Sequence, residues 1–218
     1  MKIKIFFFAA LLSLINIPSG RCGIPTEVEE LINRAESGDT FAMYSLGSMY
    51  DTGQGVPRSG RKAMKWYRKA AEAGLAEAQN NVGSALLATR NYKEAYIWYE
   101  KASAQRHLIA LNNLGYLHDM GLGVPQNRQR AFELYSQSAE LGWAEAMWNL
   151  ANMHGAGQVG PVDFYLACLW TRRAQRNAQD DARLSELTNQ SFAYLKDVLS
   201  AEQKKQCEED KWVPKGAP

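Results

Sequence analysis

Small and apolar residues recur along the middle of the chain at the spacing of one face of an α-helix. Two different blocks of this kind alternate between residues 39 and 178. Each block predicts one helix, and its alanines and glycine allow a second helix to pack closely beside it. The first block carries the periodic positions at Ala42, Leu46, Met49 and Tyr50, and the second at Ala63, Trp66, Tyr67 and Ala70.

The two blocks occur together four times. First blocks start at Ala42, Ala78, Ala110 and Ala146, and second blocks at Ala63, Ala95, Ala131 and Ala167. Four residues before each second-block alanine stands a good N-cap residue, namely Ser59, Asn91, Asn127 and Asp163. A period of this length predicts an all-α fold, a right-handed α-solenoid of about four antiparallel helix-pair repeats. The predicted repeats are 39–75, 76–107, 108–143 and 144–178.

Both ends of the array require capping elements, because a terminal repeat has no neighbour to cover its apolar face. A helix with an apolar stripe is predicted at 25–38 on the N-terminal side. Capping helices are predicted at 179–211 on the C-terminal side, and the proline-containing segment 212–218 is expected to be a flexible tail.

Residues 1–20 have the pattern of a secretory signal peptide. Lys2 and Lys4 precede an uncharged apolar run at 5–17, which Pro18, Ser19 and Gly20 follow. The run is shorter than the about 20 residues that a membrane-spanning helix needs. We therefore expect cleavage between about residues 19 and 22, a periplasmic or secreted protein, and no stable membrane insertion after signal removal. An uncleaved N-terminal anchor is the alternative.

Composition and charge narrow the function further. Hydrophobic residues make up 46% and charged residues 22% of the chain, as in ordinary soluble domains. The formal net charge is +2, and removal of Lys2 and Lys4 with the signal leaves a neutral protein. A neutral protein has no strong field for a polyanion, so binding to nucleic acid is not expected.

Three cysteines, Cys22, Cys168 and Cys207, are present. An exported protein can form disulfides, and we prefer a bridge between Cys168 and Cys207, which would tie the C-terminal cap to repeat four. Two unbridged thiols are the alternative. No set of Cys and His residues has zinc-site spacing, so neither a metal nor another cofactor is predicted.

The repeats resemble the Sel1-like repeat family, a relative of the tetratricopeptide repeat. The family pattern of an alanine, an Asn-Leu-Gly motif, a G-x-G-V loop and an A-x-x-W-Y-x-K-A-A helix is matched closely by residues 39–75 and 108–143. Repeat two lacks the glycine loop, and repeat four has Ala151 and Thr171 in place of the glycine and the tyrosine. The resemblance implies an α-solenoid that scaffolds protein complexes, commonly in exported bacterial proteins.

The opposite face of the first helices varies from repeat to repeat, as a binding surface would. In stacked helix pairs this face lines the concave groove, where aromatic residues and Asn or Asp are typical of a protein-binding site. A solvated face with scattered aromatic residues is the alternative. The predicted anchors are Tyr44, Tyr116 and Trp148, and the predicted polar contacts are Asp51, Asn80, Asn112, Asp119 and Asn152.

These observations predict an exported, non-catalytic protein-binding module, an adaptor or regulator of an envelope protein complex. No catalytic residue is predicted, because the sequence contains no G-x-S-x-G, H-E-x-x-H or P-loop motif. The family resemblance also implies a narrower alternative, an immunity protein that neutralises a secreted antibacterial effector such as a phospholipase. The third hypothesis is a small envelope-glycan hydrolase that uses Asp51 and Asp119 as paired carboxylates.

Overall fold

The computed structural model of the chain describes residues 26–178 and 181–214. In this part of the chain all regular secondary structure is helical, and none of the helices is long and apolar enough to cross a membrane. The predicted signal peptide and residues 215–218 of the predicted tail lie outside the described residues. The helices are α1 (Thr26–Glu36), α2 (Thr40–Thr52), α3 (Gly60–Glu72), α4 (Ala76–Ala88), α5 (Tyr92–Ala104), α6 (Leu108–Met120), α7 (Arg128–Glu140), α8 (Ala144–Gly155), α9 (Phe164–Asn177), α10 (Ala182–Val198) and α11 (Ala201–Glu208).

The helices form the predicted solenoid. Helices α2 and α3, α4 and α5, α6 and α7, and α8 and α9 form the four pairs, and each helix packs mainly on its neighbours in the sequence. Helix α1 packs on α2, and α10 and α11 pack on α9. The predicted all-α fold class is therefore confirmed, with the second helix of each repeat in contact with the first helix of the next.

A glycine on the first helix and a tyrosine on the second bring the helices of repeats one to three together. The tyrosine ring lies so close to the glycine that a methyl group there would collide with it. A Cβ atom added to Gly47 would lie 2.6 Å from the Tyr67 ring. The same distance would be 2.7 Å between Gly83 and the Tyr99 ring and 2.9 Å between Gly115 and the Tyr135 ring. Repeat four carries Ala151 and Thr171 at these positions, so its helices meet through smaller side chains.

Three of the four predicted N-caps of the second helices make the expected hydrogen bond. The side chains of Ser59, Asn127 and Asp163 each accept a bond from a backbone N–H three residues further on. Asn91 occupies the N-cap position of α5, but its side chain donates to the Glu94 carboxylate instead of accepting from the backbone.

The C-terminal helices are tied to repeat four by a covalent bond and by packing. Cys168 and Cys207 are joined by a disulfide between α9 and α11, with their Cα atoms 6.1 Å apart. Beyond α11, the Trp212 ring lies 5.7 Å from that of Trp170, and Arg173 donates two hydrogen bonds of 3.0 Å to Asp210. Trp212 belongs to the segment predicted to be a flexible tail, and its indole packs against Trp170 of repeat four.

Candidate functional site

The predicted binding residues fall into two groups that differ in accessibility. One group, which we call the joint row, stands at one repeat position where successive first helices meet. The second group, which we call the outer row, occupies two later positions of the same helices, which in repeat one are those of Ser48 and Asp51. The joint row contains Tyr44, Asn80, Asn112 and Trp148, and the outer row contains Asp51, Tyr116, Asp119 and Asn152.

The two asparagines of the joint row are buried between repeats. Asn80 is 6% exposed and Asn112 is 4% exposed. The Nδ2 atom of Asn113 donates to Oδ1 of Asn80 at 3.2 Å, and Nδ2 of Asn149 donates to Oδ1 of Asn112 at 3.0 Å. An amide pair therefore links α4 to α6 and another links α6 to α8, so these two side chains connect repeats in this structure.

Asn113 and Asn149 are functional residues of this joint that the sequence analysis missed. The signal was present, because Asn-Asn pairs occur at 80–81 and 112–113 in the same repeat position. Tyr44 and Trp148 stand at the equivalent positions of repeats one and four, so the row varies along the chain as a binding surface would.

The two aromatic members of the joint row are half-buried. The rings of Tyr44 and Tyr67 are 5.6 Å apart and tilted. Trp148 packs against Ala178 and Leu184 at the start of the C-terminal cap, and its Nε1 atom is buried without a hydrogen-bond partner among the described residues. Trp148 therefore contributes to the joint between repeat four and the cap.

The outer row is accessible. Tyr116 is 40% exposed, and Asp51 and Asn152 are exposed. Tyr116 and Asn152 occupy the same position in consecutive repeats, so their side chains stand on neighbouring helices, α6 and α8. A partner lying across the first helices would meet these residues before any others of the predicted set.

The two carboxylates of the outer row differ in their surroundings. The Asp119 side chain is 22% exposed and forms an ion pair with Arg128, with Oδ1 and Nε 3.8 Å apart. Asp51 forms no ion pair with any residue that the structure describes, and only its backbone carbonyl is engaged, by Nε of Arg58 at 2.8 Å. Helix α4 separates the helices that carry Asp51 and Asp119. At about 8–10 Å per helix step they stand roughly 16–20 Å apart, which is too far for paired catalytic carboxylates.

Two cavities open on this face at opposite ends of the solenoid. The repeat-one cavity, of about 380 Å³, lies between repeats one and two and is lined by Asp51, Gly60, Tyr67, Asn81 and Ser84 among others. The repeat-four cavity, of about 310 Å³, lies between repeat four and α10 and is lined by Asn152, Gln158, Phe164, Thr171, Ser191 and Tyr194 among others. Both occupy the same repeat position, so α10 takes the place of the first helix of a fifth repeat.

The titratable groups near these cavities are tuned mainly by burial. Burial raises the pKa of the Tyr67 phenol, and the nearby charge of Asp51 raises it further, so the phenol is neutral at physiological pH. Burial lowers the pKa of His118 and of His154, whose rings make edge contacts with Tyr96 and Phe132. Among the described residues, no group of three or more His, Cys, Asp and Glu side chains is arranged to hold a metal ion.

Comparison with known proteins places these repeats among relatives of the same architecture. The chain is 30% identical over 161 residues to an exopolysaccharide production negative regulator of Rhizobium meliloti, an alignment that covers 71% of this chain and 51% of the relative. It is 34% identical over 136 residues to an uncharacterized protein of Neisseria meningitidis, covering 62% of this chain and 28% of that protein. The chain thus spans about half or less of the length of these curated relatives.

Solved structures show the same fold. A protective antigen of uropathogenic Escherichia coli with an SLR fold superposes with a TM-score of 0.75 at 29% identity, covering 83% of this chain and 38% of the antigen. An immunity protein of Pseudomonas aeruginosa superposes with a TM-score of 0.50 at 18% identity, covering 84% of this chain and 74% of that protein. At 18% identity the second likeness shows the fold alone.

The family is shown by the repeats themselves. The Sel1 repeat model matches residues 40–75, 76–107, 108–143 and 144–174, close to the predicted repeat boundaries. Sel1 repeats mediate protein–protein interaction, and proteins of this kind are generally non-catalytic binding modules. With four matched repeats over more than half of its residues, this chain belongs to the Sel1 repeat family.

Proposed function

We propose that this chain is an exported, non-catalytic adaptor or regulator that binds an envelope protein or a secreted protein along its first helices. The observation that carries the proposal is the accessible outer row, which runs between a cavity at each end of the solenoid. Export rests on the sequence of residues 1–20 and is part of the proposal.

The spacing of the two cavities defines the size of the partner segment. They are separated by three first-helix steps, or roughly 24–30 Å at 8–10 Å per step. An extended chain covers at most about 3.3–3.6 Å per residue, so a segment of roughly seven to nine residues would reach from one cavity to the other. Tyr116 and Asn152 lie along this path.

The chemistry of the path favours binding over catalysis. Exposed tyrosine and asparagine side chains can hydrogen-bond to a partner, and aromatic residues contribute strongly to the energetics of protein interfaces. The two carboxylates that a glycan hydrolase would need are not brought together. A hydrolase is therefore the less supported reading of this face.

Site-specific crosslinking tests the proposal. A photoreactive phenylalanine at Tyr116 in the exported chain should give a discrete crosslinked adduct in native envelopes. The same residue at Ile97, which is 49% exposed on the second helix α5, is the matched control and should give none. Equal labelling from both positions, or none from Tyr116, would contradict the proposed surface.

A substitution at Tyr116 measures how much this face contributes to partner binding. Tyr116→Ala should weaken capture of the crosslinked partner and leave the thermal unfolding midpoint nearly unchanged, because the side chain is accessible. Ile97→Ala is again the control and should retain the partner fully. Trp148 is less suitable for this test because its ring packs in the terminal joint.

The narrower hypothesis of an immunity protein stays a prediction. The likeness to the Pseudomonas aeruginosa immunity protein concerns the fold, and no residue of the outer row selects an effector over an envelope component. If the adduct at Tyr116 contained a secreted antibacterial effector, the immunity role would be supported. An envelope component in that adduct would support the adaptor role.

A further inference from the structure

The internal repeats allow each position to be compared with its equivalents in the same chain. Position 51 of repeat one corresponds to 87, 119 and 155, and position 60 corresponds to 92, 128 and 164. In repeat three these two positions hold Asp119 and Arg128, which form an ion pair. In repeat one they hold Asp51 and Gly60, so the carboxylate is kept and the cationic side chain is missing.

The missing side chain leaves space. Gly60 and Asp51 both line the repeat-one cavity of about 380 Å³. A Cβ atom built on Gly60 would meet no atom within 4 Å. Tyr92 and Phe164 stand at the equivalent position in repeats two and four, so repeat one is the one repeat without a side chain there.

Basic residues of the same repeat do not fill the gap. Arg58 directs its Nε atom to the backbone carbonyl of Asp51, 2.8 Å away. The ammonium of Lys62 lies over the Tyr50 ring, 5.0 Å from its centroid. The Asp51 carboxylate therefore forms no ion pair with a residue in the described part of the chain, and the nearby Arg58 guanidinium is bound to the backbone of Asp51 instead of to its side chain.

The rest of the cavity wall suits a planar cation. The Tyr67 ring, which is 7% exposed, forms part of the cavity wall. Asn81 and Ser84 line the cavity from α4, and the Ser84 hydroxyl also accepts a hydrogen bond from Tyr99. Guanidinium groups pair with carboxylates through two parallel N–H donors and stack on aromatic rings, whereas an ammonium does neither as well.

We infer that the repeat-one cavity binds an arginine side chain of the protein partner, with its guanidinium paired to Asp51 and lying against Tyr67. This inference rests on the proposed function and names the chemistry of one contact within it. The partner's arginine completes in trans the pair that Asp119 and Arg128 form within repeat three.

The test uses short peptides and does not require the partner. The ¹⁵N-labelled chain is titrated with acetyl-Gly-Arg-Gly-amide and with the citrulline analogue, which has the same shape without the charge. The arginine peptide should shift amide resonances of α2, α3 and the start of α4 and bind about fivefold more tightly than the citrulline peptide. The lysine peptide should bind more weakly than the arginine peptide.

Two variants locate the contact. Asp51→Asn should remove the preference for arginine over citrulline. Glu133→Gln neutralises an ion-paired carboxylate outside the cavity and outside the outer row, and it should leave the preference intact. Gly60→Arg should place a cation of the chain itself in the cavity and abolish peptide binding while the protein stays folded, as helical circular dichroism would show.

Several results would overturn the inference. These are equal binding of the arginine and citrulline peptides, lysine binding as tight as arginine binding, binding that survives Gly60→Arg, and the absence of any saturable shift. The outcome is distinguishable from that of the crosslinking test. An adduct at Tyr116 without arginine binding would keep the face and reject this contact, and the reverse would keep the cavity and reject the face.

Discussion

The joints between the first three repeats and the joint between repeat four and the C-terminal cap are closed by different chemistry. In the first three repeats, a tyrosine ring lies over a glycine within each helix pair. Buried asparagine pairs link repeat two to repeat three and repeat three to repeat four. Within repeat four, Ala151 and Thr171 replace the glycine and the tyrosine of the helix pair. At the joint with the cap, Trp148 replaces the accepting asparagine, and a disulfide and the Arg173–Asp210 ion pair are added.

The difference shows what periodicity does for a solenoid. A repeated contact forms only where both partners recur, and in repeat four Trp148 stands at the position where Asn80 and Asn112 accept the amide hydrogen bond. The terminal joint therefore uses contacts that do not depend on repetition. The repeat-four cavity lies where the smaller Thr171 stands in place of a tyrosine. The joint that uses different contacts is therefore also a joint with an open cavity.

Breaking the disulfide should lower the free energy of unfolding more than any of the substitutions below. Reduction of the Cys168–Cys207 bond, which closes a separation of 39 residues, should lower the free energy of unfolding by about 2–4 kcal/mol. Urea denaturation of the oxidised and reduced protein measures it. Because repeats are coupled mainly to their neighbours, hydrogen exchange should accelerate first in α10 and α11 and least in α4 to α6. Uniform acceleration would contradict a locally held joint.

Filling the glycine contact tests the middle of the molecule. Gly83→Ala places a Cβ 2.7 Å from the ring of the fully buried Tyr99. Overpacking costs about 1–3 kcal/mol and alanine returns up to about 1 kcal/mol of helix propensity, so a net loss of about 1–2 kcal/mol is expected in urea denaturation. Gly60→Ala, where a Cβ meets nothing, is the control. A gain in stability for Gly83→Ala would mean that the tyrosine does not fix the helix pair.

Removing one amide of the asparagine pairs should have a smaller effect. Asn113→Ala leaves the buried Oδ1 of Asn80 without its donor, which should cost about 1–2 kcal/mol of unfolding free energy. Asn152→Ala changes an exposed residue and should stay within about 0.5 kcal/mol of the wild type. If the two variants were equally stable, the asparagine pair would have no role in stacking.

Lowering the pH from 7.5 to 5.0 should produce the smallest change in the free energy of unfolding. His118 and His154 stand at the same position of repeats three and four, and burial lowers the pKa of each below the usual 6.5. The unfolded chain binds protons first as the pH falls through 6.5, so stability should decrease from pH 7.5 to pH 5.0. The carboxyl of Asp39, whose pKa is lowered from 3.8, loses its contribution only at more acidic pH.

The double variant His118→Gln, His154→Gln identifies the source of this pH dependence. It should flatten the dependence of the urea midpoint between pH 7.5 and pH 5.0, since glutamine does not titrate. His107, whose pKa burial also lowers, remains in the variant and should account for a residual slope. An unchanged slope would assign the acid sensitivity to other groups.

The fold could be predicted from the sequence because it depends on spacing that recurs. Alanine and glycine positions, N-cap residues and the repeat period all agree, and these local signals each specify the same helix pairs. The position of Trp212 could not be predicted. Its contacts with Trp170 and the Arg173–Asp210 pair join residues far apart in the chain without any periodic pattern.

The binding face could be predicted only in part. Helical spacing places all eight predicted residues on one side of the first helices. It does not separate the joint row from the outer row, because the two rows lie within a fraction of a turn of each other around the helix axis. Which row is covered depends on the angle at which the next helix crosses. The repeat-one cavity escaped notice for another reason, because Gly60 reads as an ordinary residue at a helix start and not as a missing side chain.

The burial of the cross-link has a consequence for its redox chemistry. Cys168 and Cys207 are both fully buried, and their disulfide joins α9 to α11. A thiol reductant in solution therefore reaches the sulfur atoms only when α11 moves away from α9. With reductant in excess, the rate of reduction of the native protein should follow the opening of this one helix.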